Sequence, residues 1–169
     1  MSKAFLKESD SDGLPTTPMT ISPLPPGTKN YLTPAGAQRL RDELTHLVEI
    51  ERPRYSGQTD DSEARQELQR IDARVRYVQE SLRSAEVTSP PPPPHDVVHF
   101  GASVEVRDEK GTLTEYRLVG VDETDLDRNW VSWLTPIARA LLNRRVGEKV
   151  IFTSPRERTE LQIIALRYE

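Results

Sequence analysis

The tetrad Asp60-Asp61-Ser62-Glu63 places three carboxylates within four residues. Carboxylates this close can share a divalent cation or position a water molecule. The same spacing suits a helix start, with Asp60 as N-cap and Glu63 as its N3 partner in a capping box. The two uses are compatible, because a capping carboxylate keeps free lone pairs. A second set comprises Arg52, Arg54, Arg65, Arg70, Arg74 and Arg76. These could line a basic stripe facing a phosphate backbone, or form a solvated face with intrahelical pairs such as Glu67 with Arg70. A third set is the acid-rich run from Asp122 and Glu123 to Asp127, read either as a solvated loop or as a docking surface. Trp130 and Trp133 beyond it read as sheet or core residues. His46, His95 and His99 are scattered and there is no cysteine, so no zinc site is expected. The chain has no P-loop, no G-x-S-x-G, no H-E-x-x-H and no dinucleotide-binding glycine fingerprint. With no nucleophile–base pair legible, it is read as a protein that is not itself an enzyme.

The elements that must position these groups are of two kinds. Thr33-Pro34 is an N-cap followed by the favoured N1 proline. Beyond it, Ala37, Leu40, Leu44 and Leu47 recur at helical spacing, and Leu68, Ile71, Val75, Val78, Leu82 and Ala85 form a second such series. Both are the seam of a coiled coil. They are separated by Pro53–Asp61, so the expectation is an antiparallel helical hairpin with the acidic tetrad at its tip. From Ser103 onward the pattern alternates. SVEVR, LTEYRLVGV, VIFT and LQIIALRY read as strands, and Pro136 opens a short amphipathic helix over 136–143. The fold class is therefore α+β, a helical hairpin followed by a small antiparallel sheet with one helix.

Composition sets the boundaries. Five of the fourteen prolines lie in the first thirty residues and five more form Pro90–Pro94. The expected organisation is a disordered tail over 1–29, a coiled-coil arm over 30–88, a proline-rich linker over 89–96 and a C-terminal domain over 97–169. No apolar run is long enough to span a membrane, and no signal peptide opens the chain, so a cytoplasmic protein is expected. The net charge of -4 argues against a generic nucleic-acid binder.

Several motifs in fixed order resemble the bacterial transcription elongation factors GreA and GreB, more closely the GreB branch. They are YLTPAGAQRLRDEL from Tyr31, ERP from Glu51, RIDARVRYV from Arg70, HFGASVEV from His99, YRLVGVDE from Tyr116, and TPIARALLNRRVGEKV from Thr135. The resemblance covers about residues 30–169. It implies a C-terminal domain similar to FKBP-type prolyl isomerases, without their activity. It implies that this domain binds bacterial RNA polymerase at the rim of its secondary channel, with the coiled coil entering the channel. The family's tip motif D-x-S-E falls on Asp60 to Glu63. Asp60 and Glu63, with Asp61 beside them, would then assist the polymerase active site, holding Mg²⁺ jointly with the polymerase and no cofactor of their own. The polymerase would cleave the 3′ end of backtracked RNA. Asp122, Glu123, Thr135 and Pro136 are the implied polymerase-binding residues. Arg52, Arg65 and Arg70 would lie near nucleic acid, the nascent RNA 3′ end being the partner, with a weak DNA contact.

Two departures from the family pattern matter. Leu134 replaces a polar residue, and the arm is shorter by about seven residues before the tip motif and about six after it. That draws the tip back by roughly 10 Å at 1.5 Å per residue. The alternative reading is therefore a non-cleaving secondary-channel regulator whose arm stops short of the catalytic metal. A coiled-coil adaptor and a prolyl isomerase are the readings from other classes.

Overall fold

The computed structural model describes residues 24–58, 60–153, 155–156 and 158–169. Of the tail expected over 1–29, residues 1–23 lie outside the described residues; within 24–29 the Thr28 amide donates to Pro25 O at 3.0 Å in a turn.

Thr33 caps α1 (Pro34–His46), its hydroxyl accepting from the Gly36 amide at 3.0 Å. The helical path does not break at Pro53, as the sequence suggested. It runs through a π-helical turn (Leu47–Glu51) directly into α2 (Arg52–Ser56), with Pro53 in the first turn of α2. Proline lacks an N–H and its ring crowds the preceding turn, so a wider turn just before it is a way to carry the chain past. In that turn the Arg52 amide reaches Leu47 O, five residues back. The limb ends at Gly57, and α3 (Ser62–Ser84) returns alongside it.

Cross-limb contacts run in opposite chain order, as an antiparallel pair requires. Asn30 meets Ser81, Glu43 meets Arg74 and Arg52 meets Asp72. The two apolar series face each other. Ala37, Leu40, Ile71 and Val78 are buried, with Leu44 and Leu82 packed beside them. At 23 residues, α3 is about 35 Å long.

The base of the hairpin is closed by an element the sequence did not announce. β1 (Asn30–Leu32) pairs in parallel with β2 (Ala85–Val87), and Leu32 is fully buried between the limbs.

The C-terminal portion is a five-stranded sheet built from β3 (Ser103–Asp108), β4 (Leu113–Val119), β5 (Trp130–Ser132), β6 (Lys149–Thr153) and β7 (Arg158–Arg167), in the order β5-β4-β3-β7-β6. β3, β4, β6 and β7 pair antiparallel, as the alternation predicted. β5 pairs in parallel with β4, which corrects the expectation of a purely antiparallel sheet. The chain between them passes through two 3₁₀ turns, Val121–Glu123 and Leu126–Arg128, and so returns in the same direction.

Thr135 and Pro136 start α4 (Pro136–Leu141), two residues shorter than the 136–143 expected. Its Ile137, Ala138 and Leu141 complete a core with Val104, Val106, Leu118, Val150, Leu161 and Ile163. Among the described residues, no helix is long and apolar enough to cross a membrane.

Candidate functional site

The tip of the hairpin presents its carboxylates to solvent. Asp60, Asp61 and Glu63 are all exposed. The cap of α3 is Asp61, one residue later than the sequence suggested. Asp61 is the extended residue just before the helix, and its Oδ1 accepts from the Glu63 amide at 2.9 Å. An N-cap oxygen can reach the N2 or N3 amide only from that position, so Asp60 is displaced from the capping role. Among the described residues, the Asp60 and Glu63 carboxylates have no hydrogen-bond or ion-pair partner. No group of three or more metal-ligating side chains assembles there among the described residues. Two free carboxylates suit an ion shared with another molecule better than one held by this chain alone.

The arginines along the arm are largely engaged. Arg52 pairs with Asp72 at 2.8 Å and Arg70 with Glu67 at 3.0 Å. Arg74 makes a two-pronged contact with Glu43 at 2.6 and 2.9 Å, which raises its pKa. Arg65 is exposed near the tip without an ion pair among the described residues.

At the opposite end, the candidate docking residues divide. Pro136 is exposed, while Thr135 is half-buried, its hydroxyl donating to Ser132 O at 2.7 Å and accepting from the Ala138 amide. Glu123 does not present a surface. It is 4% exposed, and its Oε2 accepts from the amides of Thr33 at 2.9 Å and Gly120 at 3.1 Å. Its Oε1 takes the Thr33 hydroxyl and lies 3.6 Å from Arg39. The sequence left this residue in a solvated loop or a docking surface, and the family resemblance implied the docking role; both place it in the open. The structure corrects that, because the start of α1 supplies donors that compensate its burial.

Asp122 is half-buried and accepts hydrogen bonds from Tyr77 and Ser81 on α3. Burial lifts the Tyr77 phenol well above its ordinary value of 10.0, and the hydrogen bond to Asp122 adds to the rise.

Sequence reasoning missed the counterpart of these acids. Thr33, Gly36, Arg39, Tyr77, Ser81 and Gly120 complete one joint between arm and sheet. Aromatic contacts flank it. Tyr31 lies 5.6 Å from Phe100 and 5.1 Å from Trp133, ring centre to ring centre, and Arg39 stacks 5.1 Å from the Trp130 ring. The available signal was that YLTPAG and VGVDE each pair small residues with hydrogen-bonding ones, as two closely apposed backbones require.

Residues 93–168 match the family described as "Transcription elongation factor, GreA/GreB, C-term". The chain is 37% identical over 155 residues to transcription elongation factor GreB of Neisseria meningitidis serogroup B, an alignment covering 83% of this chain and 95% of that protein. It is 35% identical over 160 residues to GreB of Xanthomonas axonopodis pv. citri, covering 85% and 95% respectively. Among solved structures it is similar to GreA factor homolog 1 (Gfh1) of Thermus thermophilus, with 24% identity, a TM-score of 0.40, and coverage of 83% of this chain and 99% of that one. The chain thus belongs to the GreA/GreB family of transcription elongation factors and is GreB-like within it.

Proposed function

We propose that this protein binds bacterial RNA polymerase through the secondary channel and promotes cleavage of the 3′ end of backtracked RNA, rescuing arrested complexes. In this reading the sheet portion is an FKBP-like docking domain over 97–169, and the hairpin over 30–88 is a coiled-coil arm inserted into the channel. Residues 89–96 link the two. The polymerase is the enzyme, and this chain lends side chains to it.

The observation that carries the reading is the state of the tip. Asp60 and Glu63 are exposed and, among the described residues, unpaired, while Asp61 caps the helix start beside them. Two carboxylates on a stiff support would add negative charge beside a polymerase-held Mg²⁺. When bound, that ion would lower the pKa of an attacking water. The chain's own part is to deliver Asp60 and Glu63. Arg65, with Arg52 and Arg70, would approach the RNA 3′ end. Thr135 and Pro136 would sit at the polymerase rim, with Asp122 acting from behind through Tyr77 and Ser81.

Transcript cleavage in a purified backtracked elongation complex tests this. The parent protein should cleave. Asp60→Ala and Glu63→Ala should each lower the rate by about 10–100-fold, as loss of groups supporting a metal does, with polymerase affinity unchanged. Binding by the parent protein without cleavage would refute the reading. It would leave a channel-occupying regulator whose arm stops short of the metal.

A further inference from the structure

We propose that Glu123 is the positioning residue that fixes the aim of the helical arm on the sheet, so that its loss separates polymerase docking from transcript cleavage. The second half of this statement rests on the function proposed above; the first does not.

One atom joins the two main chains. Glu123 Oε2 accepts from the Thr33 amide, which belongs to the arm, and from the Gly120 amide, which follows β4 in the sheet. The other oxygen takes the Thr33 hydroxyl, and that same hydroxyl oxygen caps α1 by accepting from Gly36. The chain of contacts therefore runs from sheet backbone to helix start through the side-chain torsions of Glu123 and the single χ1 of Thr33. The aromatic and Arg39 contacts around it ride on rotatable side chains, so they resist separation better than tilt.

Space is as tight as the bonding. A Cβ on Gly36 would lie 2.0, 2.1 and 2.6 Å from Oε1, Cδ and Cγ of Glu123. A Cβ on Gly120 would lie 3.0 Å from Oε2. The carboxylate fills a slot between two glycines and cannot shift without moving one of the chains.

Tilt at this joint is magnified at the tip. From Thr33 to Gly57 the limb extends about 35 Å at 1.5 Å per residue. A tilt of about 5° at the base therefore moves the tip by about 3 Å, more than a metal–carboxylate bond length of about 2.0–2.6 Å. Misplacements of about 1 Å are enough to cost about 100-fold in rate.

The slot geometry supplies a test that general destabilisation would not satisfy. The three atoms that a Gly36 Cβ would strike are all removed in Glu123→Ala. Gly36→Ala and Glu123→Ala should therefore each free the arm, and the double variant should be no worse than Glu123→Ala alone, a strong departure from additivity.

The chain has no cysteine, so spin labels can be attached at Gln58→Cys, at the tip, and Lys110→Cys, on the β3–β4 turn. Tip-to-sheet distances in the free full chain should form one narrow distribution in the parent, and broaden or shift in both single variants. An unchanged distribution in Glu123→Ala, or a double variant broader than either single, would overturn the positioning role. In the backtracked complex, both single variants should lose about tenfold or more in cleavage rate, with polymerase affinity changed by less than about threefold. An equal loss of affinity would make Glu123 a docking residue after all, and undiminished cleavage would show that aim is set elsewhere. If the parent protein does not cleave, the proposed function fails, while the distance measurement still decides the joint.

Discussion

Gly120→Ala and Gly57→Ala are the same chemical change, and the structure assigns them opposite signs. Gly120 has φ -67° and ψ 164°, which any residue can adopt, so glycine is needed there for space alone. A Cβ would lie 2.2 Å from the carbonyl oxygen of Tyr31 and 3.1 Å from Leu32 Cδ2. The oxygen is backbone, held in register by the pairing of Tyr31 with Glu86, so it cannot rotate away. Relief requires β1 to move by about 1 Å, which strains the Glu123 contacts to Thr33. Overpacking of this kind costs about 1–3 kcal/mol, and a hydrogen bond lost with it about 0.5–1.5 kcal/mol, so Gly120→Ala should destabilise by about 2–4 kcal/mol. Gly57 has φ -90° and ψ -2°, and a Cβ there meets nothing within 4 Å. Alanine at such a site stabilises by about 0.4–1 kcal/mol, because the unfolded chain loses freedom.

Urea unfolding of the full chain reads both changes, with circular dichroism reporting helix and tryptophan fluorescence reporting the sheet. In Gly120→Ala the two probes should also separate, because the hairpin and the sheet have separate apolar clusters and are joined here through the Glu123 contacts. A Gly120→Ala stability within about 0.5 kcal/mol of the parent, the range of ordinary surface substitutions, would refute the reasoning. So would an equal loss in Gly57→Ala.

Tyr77 and Arg74 give two further tests. The Tyr77 phenol is raised by burial and by Asp122 above its ordinary 10.0, so the folded state favours the protonated form. Its contribution is complete below pH 10 and is lost as pH rises toward the folded value; Tyr77→Phe should flatten, without abolishing, the fall in urea midpoint above pH 10. Arg74→Ala removes the two-pronged pair with Glu43 and the stacking 5.3 Å over Tyr77, both partially exposed. It should cost about 1 kcal/mol, less at 1 M salt. Arg74→Lys should recover under half of that, since a point charge cannot reproduce the fork; thermal melts at low and high salt measure both.

Periodicity made the two helical limbs legible, because Ala37 and Leu40 share one side of α1 and Ile71 and Val78 share one side of α3. The π turn over Leu47–Glu51 was not legible, since its residues suit an α-helix equally well and only the following proline hints at strain. β1 and β2 were invisible because each has three residues and their pairing spans more than fifty positions. β5 was readable as a strand, but its parallel direction depends on how the 3₁₀ turns route the chain, which alternation does not encode. The acid run from Asp122 was misread in part for a more general reason. Charge predicts exposure only when nothing nearby can satisfy it, and two of the donors that satisfy Glu123, the Thr33 amide and hydroxyl, lie ninety positions away in the sequence.

The same distance explains how the chain divides its work. YLTPAG and VGVDE, parts of two of the motifs that carry the family resemblance, meet at the base of the arm, where the proposed joint would hold its direction. The carboxylates suited to chemistry are at the far end, about 35 Å along the helix. In the proposed function, a substitution at the base would therefore abolish the work of the tip without touching it, because angle at one end becomes displacement at the other.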